Sequence, residues 1–282
     1  MEPKIHIVTD STGYLTDEYL QKNPHVHVVP LTINCGGEVM EDSVKNNDWF
    51  MEALDNLGKK DSFPITSQPS PGHFAEIFQK LLSQGKEIIV ITISANFSGT
   101  YQSALAAASL VGEEKISVVD SLLNVAGLRM LVEDAAAAAL EGQDRAAIVA
   151  MLEEKKHRMR VLLLPANLEH LRRGGRIGGA KALLGSLLNI RPVLYVTKLG
   201  NVEVLDKVRT LKKALNRMVE ELPDNCIRAS YGDFLGKEDG LLLKELAEAK
   251  LGRTIEVQQV GPVIATHTGP GIVGLFFEIP KE

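Results

Sequence analysis

The chain has little of several residue types, and each shortage argues against a class of protein. Its 282 residues contain only two cysteines, Cys35 and Cys226, far apart and without ligand-like neighbours. This spacing argues against a disulfide-stapled domain and favours two reduced packing residues. No uncharged apolar run approaches the roughly 20 residues that span a bilayer.

Basic residues are also too few to form a broad positive face. Lysine and arginine number 31 against 36 aspartate and glutamate, which gives a net charge of −5. Nucleic acid is therefore not expected as a partner. The first residues, Met1-Glu2-Pro3-Lys4, lack a basic region, an apolar core and a cleavage site, so a cytoplasmic protein is expected. The length suits two domains or one large one. A hydrophobic content of 45% is ordinary for a globular protein.

The first half of the chain repeats a strand, a small polar loop and a helix. Apolar runs at residues 5–8, 88–93 and 116–119 each lead into a loop that carries hydroxyl groups. These loops contain Asp10-Ser11-Thr12-Gly13, Ser94 to Gly99, and Asp120-Ser121. The pattern predicts a parallel sheet whose carboxyl-end loops form a ligand crevice.

The pattern of the chain changes near residue 158, after three further predicted helices. We expect helices from Pro71 with Ser70 as N-cap, and over residues 128–142 and 144–157. Beyond these, strands are expected at 161–164, 193–196, 202–205, 227–231, 255–260 and 274–279, with helices near 207–221 and 236–251. Gly200-Asn201 predicts a hairpin. The sequence thus predicts an α/β protein of two lobes: a Rossmann-like lobe at 1–157 with a mainly parallel sheet, and a lobe at 158–282 with a mixed, largely antiparallel sheet flanked by helices.

Two hydroxyl-bearing segments of the first lobe are candidate anion sites. Ser98 and Gly99 precede a predicted helix near Thr100, and helix N-termini attract anions. Thr66 and Ser67 lie on a segment stiffened by prolines that also leads into a helix. Each segment has a plainer interpretation, since Ser98 would serve as a helix cap and the other segment as a capped connector.

The second lobe carries basic candidates. Arg176 lies within the run Gly174 to Gly179, where flexible backbone and a guanidinium group suit a carboxylate or phosphate. The run is not a nucleotide phosphate loop, because the Gly-Lys-Ser/Thr order is absent. His267 lies between glycines and prolines that predict a fixed loop. Its imidazole would either donate a hydrogen bond to an anion or have a purely structural role. His25 and His27 are interpreted as solvated surface rather than a metal site.

Taken together, seven segments of the chain resemble the DegV family of fatty-acid-binding proteins, which includes the lipid-binding subunit of bacterial fatty acid kinase. In chain order they are Thr9-Asp10-Ser11-Thr12, Thr66-Ser67-Gln68-Pro69-Ser70, Ser98-Gly99-Thr100-Tyr101-Gln102-Ser103-Ala104, Val119-Asp120-Ser121, Gly174-Gly175-Arg176-Ile177, Arg191-Pro192 and Gly261-Pro262-Val263-Ile264 through His267 to Gly271. The resemblance spans nearly the whole chain.

The resemblance implies a long-chain fatty acid bound between the lobes, with its acyl chain in the second lobe. Its carboxylate would be held by Thr66, Ser98 and His267. Supporting contacts to the head group, phosphate or partner would come from Arg176, Arg209, Gly99 and Ser67. A separate kinase subunit would supply ATP and metal, so neither a cofactor nor a metal is expected here. The loop before Ser98 reads Ser94-Ala95-Asn96-Phe97, where many relatives carry a second serine and a leucine, which leaves the preferred chain length and unsaturation open.

The sequence therefore favours a carrier that takes a fatty acid from the membrane surface by transient contact and presents it for acyl phosphate formation. An acyl hydrolase using Ser98, His267 and either Asp10 or Asp120 is an alternative, although no Gly-x-Ser-x-Gly elbow surrounds Ser98. A regulatory lipid sensor without a kinase is another. An apolar stripe at Leu183, Leu184, Leu187 and Leu188 is a candidate gate or an ordinary core helix.

Overall fold

The computed structural model describes residues 3–57, 63–185 and 190–281. The chain forms two compact units, Met1–His157 and Arg158–Glu282. The N-terminal unit has strands β1 (Ile5–Asp10), β2 (Val26–Val29), β3 (Thr32–Cys35), β4 (Glu38–Glu41), β5 (Ile65–Ser67), β6 (Glu87–Thr92) and β7 (Ile116–Asp120), and helices α1 (Asp17–Lys22), α2 (Asn47–Leu57), α3 (Pro71–Ser83), α4 (Thr100–Val111), α5 (Val125–Leu140) and α6 (Arg145–Lys155).

The main sheet of this unit is parallel, as predicted. Its strand order is β2-β1-β6-β7, and every pairing is parallel. Val8 and Val90 on one face pack against Phe74 and Phe78 of α3 and the alanines of α4. Because β1 and β6 are central and almost wholly buried, their carboxyl ends are held firmly at one edge of the sheet.

Most helix boundaries follow the sequence pattern. The Ser70 hydroxyl accepts a hydrogen bond from the His73 amide at 3.4 Å, and Pro71 is the first residue of α3, as predicted. Helix α4 begins at Thr100, also as predicted. Helix α5 begins at Val125 rather than at residue 128. Val125 is buried, so its packing fixes a start that residue spacing alone does not show.

A second, antiparallel sheet of order β4-β3-β5 was not predicted. Thr66 and Ser67 therefore lie in a strand, whereas the sequence suggested a connector. Strands of three or four residues are too short for alternation to be recognised. The interpretation of His25 as solvated surface is wrong, because this residue is buried and its Nε2 lies 3.2 Å from the Ala136 carbonyl oxygen.

The C-terminal unit contains strands β8 (Met159–Leu164), β9 (Arg191–Val196), β10 (Val202–Val208), β11 (Arg228–Phe234), β12 (Glu256–Gln259) and β13 (Ile272–Glu278), and helices α7 (Glu169–Arg173), α8 (Leu211–Glu220), α9 (Lys237–Leu251) and α10 (Pro262–Thr268). Its sheet has the order β10-β9-β8-β13-β11-β12. Among the described strands of this sheet only the β11–β12 pairing is parallel, so the predicted mixed, largely antiparallel sheet is confirmed.

The predicted hairpin joins β9 to β10, and the Thr197 amide donates to the Asn201 carbonyl at 2.8 Å. Helix α8 starts later than the predicted residue 207. Lys207 and Val208 instead extend β10 beyond a shift of register, and Thr210 caps the helix through its side chain. Pairing with β9 thus overrides the helical spacing that the sequence suggested.

The two faces of the six-stranded sheet have different surroundings. One face packs against α8 and α9, where Leu275 and Phe277 meet Met218 and Leu243. Since side chains alternate along a strand, Gly274 and Phe276 point to the opposite face. The strand register places three further buried residues there, namely Val161, Leu163 and Leu194.

The candidate gate is described only in part. Residues Gly178–Leu183 form a 3₁₀ helix in which Leu183 is buried. Leu187 and Leu188 lie outside the described residues. Across the three described ranges, no helix is long and apolar enough to cross a membrane.

Candidate functional site

The carboxyl edge of the parallel sheet is fixed by a buried aspartate at the end of β1. Asp10 Oδ1 accepts hydrogen bonds from the Thr12 amide at 2.9 Å and from the Thr12 hydroxyl at 2.6 Å. Its Oδ2 accepts from the Ile93 amide at 2.6 Å, which joins the ends of β1 and β6. Burial raises the pKa of this carboxyl, while its three hydrogen bonds act in the opposite direction.

A second aspartate holds the loop that follows β6. Asp120, the last residue of β7, accepts through Oδ1 from the Ala95 amide at 3.2 Å and from the Leu122 amide at 3.0 Å. The loop of residues 94–99, here called the serine loop, is thereby tied to the next strand. Both aspartates serve as supports for the loops around Ser98.

Ser98 ends the serine loop and points its hydroxyl at the start of α4. Its Oγ lies 2.8 Å from Thr100 Oγ1 and accepts from the Thr100 amide at 3.3 Å. The N-cap itself is Gly99, which has no side chain to satisfy the first turn. Ser98 is therefore not the conventional cap, and the start of a twelve-residue helix lies beside its hydroxyl.

Gln68 brings the segment that contains Thr66 against the serine loop. Its Nε2 donates to the hydroxyl of Ser103 in α4 at 2.9 Å. Its side chain also lies over Gly99, so close that a β-carbon on Gly99 would collide with the Gln68 amide. Thr66 is half-buried and Ser67 is exposed. Both segments stand out in the sequence as candidate anion sites, but nothing in the sequence indicates a role for Gln68, whose long side chain joins them.

In the C-terminal unit, His267 lies in the last turn of α10, so the predicted fixed loop is wrong. Gly261 is the N-cap, Pro262 is the first helical residue, and Gly269 with φ +81° ends the helix. Proline at the first position and glycine after the last are favourable in a helix. The same residues that suggested a loop therefore delimit one short helix.

Helices α7 and α10 approach each other at glycines. A β-carbon on Gly174 would collide with Nδ1 of His267, and one on Gly269 would lie 2.7 Å from Cδ2 of His170. His170 Nδ1 lies 3.0 Å from the Thr266 carbonyl oxygen. Glycine at these positions lets the two histidines pack against backbone.

The surroundings of His267 keep its imidazole neutral at neutral pH. Burial is the main cause, followed by the positive charge of Arg176 and by His170, and together they lower the pKa of His267 to about 4. Arg176 is half-buried, its guanidinium donates to the Gly174 carbonyl, and burial lowers its pKa as well. Arg176 and His267 are thus brought together. At neutral pH the guanidinium of Arg176 is charged and the imidazole of His267 is neutral.

The remaining predicted arginine is placed differently. Arg209 is exposed, between the end of β10 and Thr210. Arg172 and Arg173 both pair with Glu169 on the exposed side of α7. Within the part of the chain that is described, no group of three histidine, cysteine or acidic residues could hold a metal ion.

Fold and site together define a two-unit α/β protein with hydroxyl groups at the carboxyl edge of a parallel sheet and a half-buried histidine–arginine pair in the other unit. The chain belongs to the DegV family, because the model of that family, described as uncharacterised proteins, matches residues 4–279. The predicted family and the predicted fold class are thus confirmed.

Relatives of this chain match it over almost their full length. A DegV domain-containing protein of Caldanaerobacter subterraneus is 36% identical, over 98% of this chain and 99% of its own. A solved structure of a fatty-acid-binding DegV protein from Thermus thermophilus has a TM-score of 0.88 at 34% identity, covering 98% and 99% of the two chains. A stearic-acid-binding protein from Eubacterium ventriosum has a TM-score of 0.85 at 28% identity, covering 97% and 98%.

Proposed function

We propose that this chain binds a long-chain fatty acid and presents its carboxylate to a separate kinase, which converts it to an acyl phosphate. The observation that carries the proposal is the hydrogen bond from Gln68 to Ser103, which packs the segment of Thr66 against the serine loop. Support comes from the similar proteins of Thermus thermophilus and Eubacterium ventriosum, which are described as binding fatty acid and stearic acid.

A carboxylate needs several donors when it leaves water. It has about four acceptor positions and no proton to donate, and an unpaired buried charge costs many kcal/mol. The hydroxyls of Thr66 and Ser98 provide two donors, and Ser98 lies beside the start of α4, where helix amides favour an anion. We assign head-group binding to these two residues, with Ser67 and Gly99 in support.

The C-terminal unit offers the other polar groups that we assign to the head group. A neutral imidazole such as that of His267 donates one hydrogen bond without bringing a charge. Arg176 supplies the positive charge that a carboxylate or a transferred phosphate requires. Arg209 is exposed, so we assign it to contact with the phosphate or the partner rather than to the carboxylate.

The acyl chain is proposed to lie against the second face of the six-stranded sheet. Leu163, Leu194 and Phe276 line this face, and Gly274 adds no side chain. Each methylene moved from water to an apolar environment contributes about 0.8 kcal/mol. A long acyl chain therefore binds such a surface strongly. Transient contact of the protein with a membrane would supply the fatty acid.

The chemical step requires a second protein. A carboxylate oxygen of the fatty acid attacks the γ-phosphorus of ATP and forms the C–O–P linkage of the acyl phosphate. The bond from the γ-phosphorus to the bridging oxygen breaks, and ADP leaves with the electron pair of that bond. The Gly174 to Gly179 run lacks the lysine and hydroxyl order that cradles nucleotide phosphates. We accordingly place ATP, metal and the transfer step in the kinase.

The hydrolase alternative receives no support from the aspartates. Such an enzyme would need Asp10 or Asp120 to orient a histidine. Asp10 uses both of its oxygens for Thr12 and Ile93 at the end of its strand. Asp120 accepts two backbone amides through Oδ1. Their hydrogen bonds fit a structural role.

Mass spectrometry of organic extracts tests the proposal. The purified wild-type protein should release a stoichiometric fatty acid, and a kinase with ATP should convert it to acyl phosphate. Replacing Thr66 and Ser98 together by alanine should weaken retention on the order of a hundredfold, since each hydrogen bond to a charged group contributes about 1.5–3 kcal/mol. Ser109→Ala, an exposed hydroxyl on α4, is the matched control and should retain the lipid. A wild-type protein that neither carries nor takes up fatty acid would refute the proposal.

A further inference from the structure

The N-terminal unit contains an open cavity that the proposed fatty acid site does not use. It measures about 610 Å³ and lies between α2 and the turn that joins β3 to β4. Its lining includes Glu38, Trp49, Glu52 and Ile65, and both glutamates are exposed. We refer to it as the Trp49 cavity. It is bounded by residues on both of these elements.

One face of α2 forms a wall of this cavity. Trp49, Glu52, Ala53 and Asn56 follow the spacing of neighbours on one side of a helix, and all four line the cavity. A neighbouring side of the helix holds Phe50, which is fully buried. The helix is thus anchored by Phe50 and leaves the Trp49 face available to a ligand.

An aromatic ring and a carboxylate are held side by side in this wall. The indole nitrogen of Trp49 donates to Oε2 of Glu38 at 3.0 Å, which links the helix to the hairpin. A cation is attracted both by the face of an indole ring and by a carboxylate. The cavity therefore presents two kinds of group that bind a positively charged side chain.

The charged residues in the described lining of the cavity are all acidic. Its described lining contains Glu38 and Glu52 and no lysine or arginine. Helix α2 adds Asp48 and Asp55 and has no basic residue of its own. Lys59 and Lys60 follow in the sequence and lie outside the described residues. The described wall is complementary to a basic partner and would repel an anionic membrane surface.

The cavity also adjoins the proposed head-group site along the chain. Ile65 lines the cavity, and the next residue of β5 is Thr66. Ile65 and Val39 are 66% and 62% exposed, and both are paired with Asn34 of β3. Since side chains alternate along a strand, Thr66 points to the other face of β5, and a kinase that reaches a carboxylate at Thr66 would meet Ile65, Val39 and the cavity around the edge of this short sheet.

We infer that the Trp49 cavity receives a lysine or arginine side chain of the kinase and so docks the partner beside the fatty acid carboxylate. The inference rests on the proposed function, because it names the partner's contact at that same site. Tryptophan and arginine are the residues most enriched among those that dominate binding at interfaces. The indole of Trp49 provides such an anchor on this chain.

Charge reversal in the cavity provides the first test. Glu52→Lys should raise the KM of the kinase for the lipid-loaded protein by about tenfold or more, because it places like charges together, while fatty acid content stays at the wild-type level. Asp55→Lys is the matched control: it makes the same change of charge on the exposed side of α2, outside the cavity lining, and should leave KM near the wild-type value.

The single tryptophan allows a direct second test. Trp49 is the only one in the chain, so 5-fluorotryptophan labels the cavity alone. Its ¹⁹F resonance should shift when the kinase is added and should not shift with anionic phospholipid vesicles. An unshifted resonance at saturating kinase, or a shift with vesicles alone, would overturn the inference.

The two proposals fail in different ways. If the wild-type protein carries fatty acid and is phosphorylated, but Glu52→Lys behaves like Asp55→Lys, the docking inference is wrong and the proposed function stands. If the wild-type protein carries no fatty acid or is not a substrate of the kinase, both are wrong. Loss of bound fatty acid in Glu52→Lys itself would place the cavity in lipid binding and also overturn the docking inference.

Discussion

The amide of Gln68 donates from Nε2 to the hydroxyl of Ser103 at 2.9 Å, and it does so across the backbone of Gly99. One side chain thus joins β5, which carries Thr66, to the helix that begins behind Ser98. Because Gly99 has no β-carbon, the Gln68 side chain can lie directly on the helix N-terminus. The mutual position of the two proposed head-group hydroxyls depends on this contact.

Gly99→Ala should therefore separate lipid retention from stability. The new β-carbon collides with the Gln68 amide, which must swing away and lose its bond to Ser103. Gln68 is exposed and flexible, so the free energy of unfolding should fall by only about 1 kcal/mol. Fatty acid retention, measured by mass spectrometry after delipidation and reloading, should fall clearly.

Gly72→Ala is the control for this prediction. Gly72 lies in the first turn of α3, where the nearest atom to a new β-carbon is Ser70 Oγ at an ordinary 3.5 Å. Alanine is the better helix former, so stability should be equal or higher and retention unchanged. Equal retention in Gly99→Ala and Gly72→Ala would show that Gln68 does not position the head-group hydroxyls.

A second glycine, Gly174, should prove less tolerant. A β-carbon there meets the buried Nδ1 of His267 and lies 3.1 Å from the His170 carbonyl oxygen, which belongs to the backbone. Gly174→Ala should lower the free energy of unfolding by about 1–3 kcal/mol, as overpacking does. Urea denaturation of Gly174→Ala, His267→Ala and the double variant forms a cycle that isolates the contact. If the clash with His267 is the cause, the double variant should lose less free energy of unfolding than the two single variants lose together. A loss equal to their sum would contradict this explanation.

The lowered pKa of His267 predicts a specific dependence of stability on pH. The unfolded imidazole takes up a proton near pH 6.5, whereas the folded one does so only near pH 4. The unfolded state therefore binds more protons in that window, and stability should fall as pH decreases from about 6.5 to 4. The full effect is on the order of 3 kcal/mol.

Chemical denaturation between pH 7 and pH 4 checks this prediction. His267→Gln should show a flatter profile than the wild type in that window, because the residue can no longer be protonated. His73→Gln replaces an exposed histidine of α3 and should keep the wild-type profile. A His267→Gln profile that is parallel to that of the wild type would show that burial does not lower the pKa of His267.

The longer elements could be predicted from the sequence because local pattern and tertiary burial agree in them. Strand β6 has four consecutive buried apolar residues, Ile88 to Ile91, and α3 carries both its cap at Ser70 and its apolar stripe. The sheet of β3, β4 and β5 could not be predicted, since strands of three or four residues are stabilised by their pairings rather than by their own sequence. The end of β10 could not be predicted for the same reason, because Lys207 and Val208 are held in the strand by their pairing with β9.

The sequence suggests the proposed head-group residues by their type, but it does not predict the contacts that they make. Thr66, Ser98 and His267 stand out because hydroxyls and imidazoles in segments rich in glycine or proline suit an anion. The role of Gln68 depends on a contact with Ser103, which lies 35 residues away. The α10 helix was missed because Pro262 and Gly269 are equally compatible with a loop, and only the burial of the residues between them favours a helix.

The connection between β11 and α9 offers a prediction about backbone strain. Leu235 has φ +57° and is 59% exposed, so a large apolar residue adopts a left-handed conformation with little burial in return. That conformation costs an ordinary L-residue roughly 1–2 kcal/mol, whereas glycine adopts it without a steric penalty. Leu235→Gly should therefore raise the free energy of unfolding by about 0.5–1 kcal/mol, after the larger unfolded-state entropy of glycine is subtracted.

The matched control is Leu241→Gly. Leu241 is similarly exposed, at 50%, but lies inside α9, where glycine costs about 1 kcal/mol. Urea denaturation of the two variants should thus give shifts of opposite sign with the same denaturant slope. If both variants lose stability, the side chain of Leu235 contributes more through its remaining contacts than its backbone conformation costs. Strain would then not limit the stability of this turn.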